Sequence, residues 1–169
     1  IGTYSVDAQI VKNEKSLVLN VLSMPGENDI NEVRMVSGRI PEKSDEALVE
    51  QLFLAENHLK IGDKILLQSG NQKNLSDSLK NTDFTIVGTA KSPLFVSAQR
   101  QLSSVGNGSV RGFVYILPEV FKSDVYTEAY IRTSGSLSSS SMIEYDKYKS
   151  NQDSIEANLK KLTLIQSTY

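Results

Sequence analysis

Apolar and polar positions alternate from the start of the chain. Tyr4, Val6, Ala8 and Ile10 are separated by Ser5, Asp7 and Gln9, the two-residue period of a half-buried strand. Residues 16–24 are rich in Val and Leu and predict a second strand, which Pro25-Gly26 closes with a turn. Residues 30–36 are short and mixed, compatible with a strand or with one helical turn. The sequence then predicts a brief strand at Glu46–Glu50 and a helix over 51–59, where Leu52, Ala55 and Leu59 fall at helical spacing. Lys60-Ile61-Gly62-Asp63-Lys64 predicts a tight turn, because glycine accepts positive φ and Asp can bond its own backbone. A strand over 65–68 follows.

Residues 69–83 are polar and predict a hairpin loop before a strand at 84–90. The Ser/Gly/Asn-rich stretch 97–109 predicts an exposed, mobile loop. Residues 113–117 predict a buried strand, 118–121 a first helical turn with proline near its start, and 125–132 a further strand. Residues 134–141 have the composition of a flexible linker. Beyond them, Tyr145, Tyr148, Gln152, Ile155, Leu159 and Leu162 form a heptad-like stripe on a helix over 142–162. A terminal helix packing on its own domain is the simpler reading of so short a stripe. The class is α+β, with strands outnumbering helices.

Composition narrows the functions. The chain has 169 residues, 39% hydrophobic and 22% charged, enough to bury a core in one domain. With 18 basic and 20 acidic residues spread along it and a net charge of −2, no basic stripe offers a nucleic-acid footprint. The absence of cysteine removes thiol catalysis, disulfides and zinc–thiolate sites. No charged n-region and apolar h-region open the sequence, and no apolar run approaches the length of a membrane helix. With Ile rather than Met at position 1, we expect a soluble piece cut from a larger membrane protein.

The search for chemistry yields no catalytic, metal or cofactor residues. His58, the single histidine, has no accompanying nucleophile motif and reads as a helix-terminal residue. No serine sits in a G-x-S-x-G or S-x-x-K setting. Gly106-Asn107-Gly108 leads into a strand, whereas a phosphate loop leads into a helix N-terminus. The acidic pairs Asp29/Glu32, Asp124/Glu128 and Glu144/Asp146 lack a calcium-loop pattern. Tyr126 and Tyr130 read as core or sheet packing.

One constellation is more specific. Val36-Ser37-Gly38-Arg39-Ile40-Pro41 is followed by Glu46-Ala47-Leu48-Val49, then Leu59-Lys60-Ile61-Gly62-Asp63-Lys64-Ile65, then Phe84-Thr85-Ile86-Val87-Gly88. In order and spacing this resembles the extracytoplasmic domain of FtsX-like/MacB-like ABC transporter permeases. Arg111-Gly112-Phe113-Val114-Tyr115-Ile116 and Asp124-Val125-Tyr126-Thr127-Glu128 resemble long Gram-positive members of that group. The resemblance spans about 36–132. Its motif residues Gly38, Arg39, Pro41, Gly62, Asp63 and Gly88 are structural, with Ile65, Leu67, Ile86 and Val87 filling the core beneath.

The resemblance implies a strand-rich, two-lobed extracytoplasmic α+β domain akin to the MacB periplasmic core. Residues 1–169 would form one such domain, one lobe from 1–39 plus 111–169 and an inserted lobe from 40–110. It also implies a place in the cell membrane with this domain on the extracellular side. The implied partners are a cytoplasmic ATPase subunit reached through the full-length permease, a second permease copy, and an envelope protein or peptide substrate. No cofactor, nucleic acid or membrane span within the fragment is implied. ATP-driven motion would reach the domain by mechanotransmission. A free-standing secreted adhesion or ligand-binding β-rich domain is the alternative, and a hydrolase whose site assembles only in three dimensions is a third.

Overall fold

The computed structural model describes residues 2–26, 29–71, 74–96 and 102–130, with 149–150, 152–157 and 160 near the C-terminus. Two compact units result, Ile1–Ile131 and Arg132–Tyr169. The first contains β1 (Gly2–Thr3), β2 (Ser5–Lys12), β3 (Lys15–Ser23), β4 (Arg34–Gly38), β5 (Glu46–Glu50), α1 (Gln51–Glu56), β6 (Lys64–Leu66), β7 (Asp83–Lys91), β8 (Val110–Ile116) and β9 (Glu128–Ala129). The strand-rich α+β class is therefore observed.

β2 and β3 form an antiparallel hairpin whose last pair is Lys12 with Lys15. Asn13 and Glu14 between them both have positive φ, 49° and 61°, as a two-residue type I′ turn requires. β3 runs parallel to β8, which pairs antiparallel with β5, which runs parallel to β7. The free edge of β7 takes two short strands in tandem. β6 pairs with it over 83–85, and β4 pairs with it over 88–91.

β6 then turns back toward the first hairpin. Gln68 donates to the carbonyl of Gln9 at 2.8 Å, and Gln9 donates back at 3.0 Å. This bridge closes the path β2-β3-β8-β5-β7-β6 into a small barrel with a narrow seam. In so small a barrel the interior is filled by side chains at every second position. Ala8 and Ile10, Leu19 and Val21, Ala47 and Val49, Phe84 and Ile86, and Val114 and Ile116 meet there, with Ile65 and Leu67. Leu22, Leu48, Phe113 and Tyr115 point the opposite way, into a second cluster with Val33 and Ala90. Burial on both faces is why β5 has no exposed position.

Helical segments seal the barrel. Phe53 of α1 is 1% exposed and packs against Gly112, where a Cβ would lie 2.8 Å from that of Phe53. α1 ends in a Schellman turn: His58 N–H bonds the Ala55 carbonyl and Leu59 N–H the Leu54 carbonyl. His58 itself occupies the left-handed position, at φ 51°.

β8 lies between β3 and β5, and β4 lies beside β7. Hydrogen bonding thus joins β2 through β8 in one sheet, with β1 and β9 paired apart from it, and the compact units divide after Ile131. Residues 69–83 are more than a polar loop. Leu75 and Leu79 are buried in the barrel core on a 3-10 turn, Leu75–Asp77, capped by the Asn74 side chain.

In the expected mobile loop, residues 102–109 are anchored through Val105, which is buried with Val18 and Val110, while 97–101 lie outside the described residues. Residues 125–130 supply only the two-residue β9, paired with β1. The mixed segment 30–36 resolves into β4, and Val87 is only half-buried because Ile86 takes the inward position.

In the second unit, 149–150, 152–157 and 160 are helical, with a Glu156–Lys160 ion pair of 2.7 Å one turn apart. Of the expected stripe, Gln152 is exposed and Ile155 half-buried. Tyr145, Tyr148, Leu159 and Leu162 lie outside the described residues, as does the linker 134–141.

Candidate functional site

Five of the six motif residues singled out in the sequence, Gly38, Arg39, Gly62, Asp63 and Gly88, come together around the middle of β7. Gly38 of β4 lies opposite Gly88 of β7 in register. Each is glycine because the two backbones nearly touch. A Cβ on Gly38, at φ 76°, would lie 2.7 Å from the Gly88 Cα. A Cβ on Gly88 would press on the Ser37 carbonyl oxygen at 2.9 Å.

Arg39 N–H then bonds the Val87 carbonyl at 3.1 Å, and its guanidinium grips Glu46 at the start of β5. Nη1 donates to Oε2 at 2.6 Å and Nη2 to Oε1 at 2.5 Å, a bidentate pair. Backbone amides of Glu42 and Lys43 add bonds of 2.9 and 3.3 Å to the same carboxylate. The Arg39 bond first, and the Glu42 amide second, hold the Glu46 carboxyl at about 2. Pro41 is buried between them in sequence.

The second turn docks on the same strand. Gly62, at φ 98°, donates to the Ile86 carbonyl at 2.8 Å, and Ile86 donates to the Asp63 carbonyl at 2.9 Å. The Asp63 side chain closes its own turn by accepting from Lys60 N–H at 2.8 Å. These bonds leave the junction with structural work to do. Its one carboxylate at the centre is fully engaged by donors and is held charged, which suits a brace and not a general acid.

A second region was not legible in the sequence. A cavity of about 480 Å³ is bounded by the β1–β2 start, the end of β3 with its Pro25-Gly26 turn, the 3-10 turn Pro118–Val120 and the 123–130 segment. Tyr4 forms its centre. Its ring stacks on Phe121 with centroids 5.3 Å apart and lies tilted against Tyr126 at 4.9 Å, giving a continuous aromatic wall. Gly2 permits this, since any Cβ there would overlap the Tyr126 ring.

Polar groups fix the rest of the wall. Ser23 Oγ bonds Thr3 Oγ1 at 2.7 Å and accepts from Tyr4 N–H at 3.0 Å. Tyr115 bonds Ser92 Oγ at 2.8 Å, and burial pushes its phenol pKa up. Tyr130 donates to Glu128 Oε2 at 2.5 Å; its burial, then that carboxylate, push its phenol pKa up as well. Tyr126 and Tyr130 therefore line a cavity as well as contacting the sheet.

The carboxylates of the wall are Asp29, Glu119 and Asp124. They and His58 do not converge: among the described residues no group of three or more His, Asp or Glu side chains could hold a metal ion. No described helix is long and apolar enough to cross a membrane. No family model, curated protein or solved structure matches the chain.

Proposed function

We propose that the chain is the extracytoplasmic domain of an FtsX-like/MacB-like ABC transporter permease of Gram-positive type. In this reading it has no enzymatic role of its own. It receives motion generated by a cytoplasmic ATPase and passes it to an exported substrate or an envelope partner. The supporting observation is the convergence of Gly38, Arg39, Gly62, Asp63 and Gly88 on β7, so that motifs scattered over 51 positions act as one rigid junction. A hydrogen-bonded ring of strands braced by a bidentate ion pair deforms little, which suits an element that relays force.

The experiment is to express the full-length reading frame with an epitope tag in its native host. The reading expects a protein that needs detergent for extraction, whose 1–131 segment is cleaved by external protease in whole cells, and that co-purifies with an ATPase. Release of the full-length protein into the medium without an ATPase would sink it.

That outcome would support the second reading, a free-standing adhesion or ligand-binding β-rich domain. The aromatic-walled cavity is the observation that favours it.

A further inference from the structure

We propose that the cavity at the β1–β9 end binds an organic cation, an ammonium group carried on an apolar body. The proposal stands independently of the permease reading, because it rests on the cavity alone.

Size comes first. A volume of about 480 Å³ falls in the range of about 300–1,000 Å³ typical of small-molecule sites. The lining combines apolar bulk with polar groups. Tyr4, Phe121 and Tyr126 supply the aromatic wall, and Met24, Pro25 and Pro118 add apolar surface. The faces of tyrosine and phenylalanine rings carry the negative lobe of the ring quadrupole and attract cations.

Charge points the same way. Asp29, Glu119 and Asp124 line the cavity, and among its described lining residues none is Lys or Arg. The ammonium of Lys80 is 2.7 Å from the backbone carbonyl of Glu119, and Lys80 is not part of the lining. Asp29 and Asp124 therefore carry the argument. Asp29 uses Oδ2 to accept from Gly26 N–H at 2.6 Å, which orients the carboxylate on the turn that borders the cavity. Wall and charge are thus both set for a positive, partly apolar guest.

Exposure of Tyr126 supports this. Its side chain is 57% exposed, yet it is held in place by the Gly2 backbone and the Tyr4 ring. A preorganised exposed aromatic loses little conformational freedom on binding.

The probe is benzyltrimethylammonium, titrated into the folded 1–169 chain while tyrosine ring resonances and tyrosine fluorescence are followed. Tryptophan does not interfere, because the chain has none. Benzyl alcohol and benzenesulfonate, of the same ring but neutral and negative, are the controls. The proposal expects saturable shifts in Tyr4 and Tyr126 with the ammonium only, weakening as salt is raised.

Asp29→Asn combined with Asp124→Asn keeps the acceptor on the Gly26 turn and should weaken binding about fivefold. Tyr126→Leu should weaken it about two- to fivefold. Thermal unfolding of each variant separates lost binding from lost folding. A second arm uses Nα-acetyllysine N-methylamide: tighter binding than the quaternary probe assigns the ammonium to a lysine side chain, and weaker binding assigns it to a small molecule. Equal binding of benzyl alcohol or benzenesulfonate, or no saturable change up to the solubility of the ammonium, overturns the proposal.

Discussion

Two regions of the barrel unit are built on opposite plans. Around β7 the chain is held by backbone contact: two glycines face each other, two turns bond directly to the strand, and one carboxylate collects all its donors from nearby residues. At the β1–β9 end the strands are two residues long, and rings and side-chain hydroxyls make most of the contacts. The first plan tolerates no added atom. The second encloses empty space and presents exposed rings. Rigidity and recognition are thereby separated, and loops carried on a stiff frame commonly hold the binding function.

The comparison is broken most directly at Gly88. Gly88→Ala drives a Cβ against the backbone of Ser37 and Arg39, which cannot move without unpairing β4. We expect a loss of about 3 kcal/mol, measured by urea unfolding. A loss below ~0.5 kcal/mol would mean that β4 detaches freely and braces nothing.

Next in size is the acid limb. Glu46 has a folded pKa of about 2, below the ordinary 4.5. A lowered carboxylate pKa contributes stability that is complete above the ordinary value and disappears as pH falls toward the folded one. Thermal stability of the native chain should therefore fall between pH 4.5 and about 2. Glu46→Gln should be less stable at neutral pH and show a flatter acid limb. An unchanged acid limb in the variant would remove the Arg39–Glu46 pair from any bracing role.

At the cavity the effects should be smaller. Tyr126→Ala removes an exposed ring that lies against Tyr4 and should cost about 1 kcal/mol, with the fold intact by circular dichroism. A cost near 3 kcal/mol would show that the aromatic wall holds the unit together as firmly as the β7 junction. Least of all, Leu102→Ser alters a side chain that is 90% exposed. It should change stability by less than ~0.5 kcal/mol, whereas Val105→Ser, three residues on, should be clearly destabilising.

That last pair shows how far the sequence could be read. The strands at 4–10, 16–24, 46–50 and 84–90 were legible because alternation reports one buried face, and they appear within a few residues as β2, β3, β5 and β7. The helix after Glu50 was legible from its spacing, though it ends earlier. Val105, Leu75 and Leu79 were not, since single apolar residues in polar stretches have no period to reveal them. Tyr4, Phe121 and Tyr126 were seen as residues but not as a wall, because more than a hundred positions separate Tyr4 from its ring partners.

By itself the sequence determined the local events: the strands, the turns at Gly38 and Gly62, and the absence of cysteine chemistry. These depend on neighbours a few residues away and on intrinsic φ preferences. Only the tertiary structure decided that β4 and β6 share one edge of β7, that Gln9 and Gln68 close the ring, and that β3, β8, β5 and β7 lie side by side in one sheet. Strand partners are chosen by burial summed over the whole core, a quantity that no local window contains.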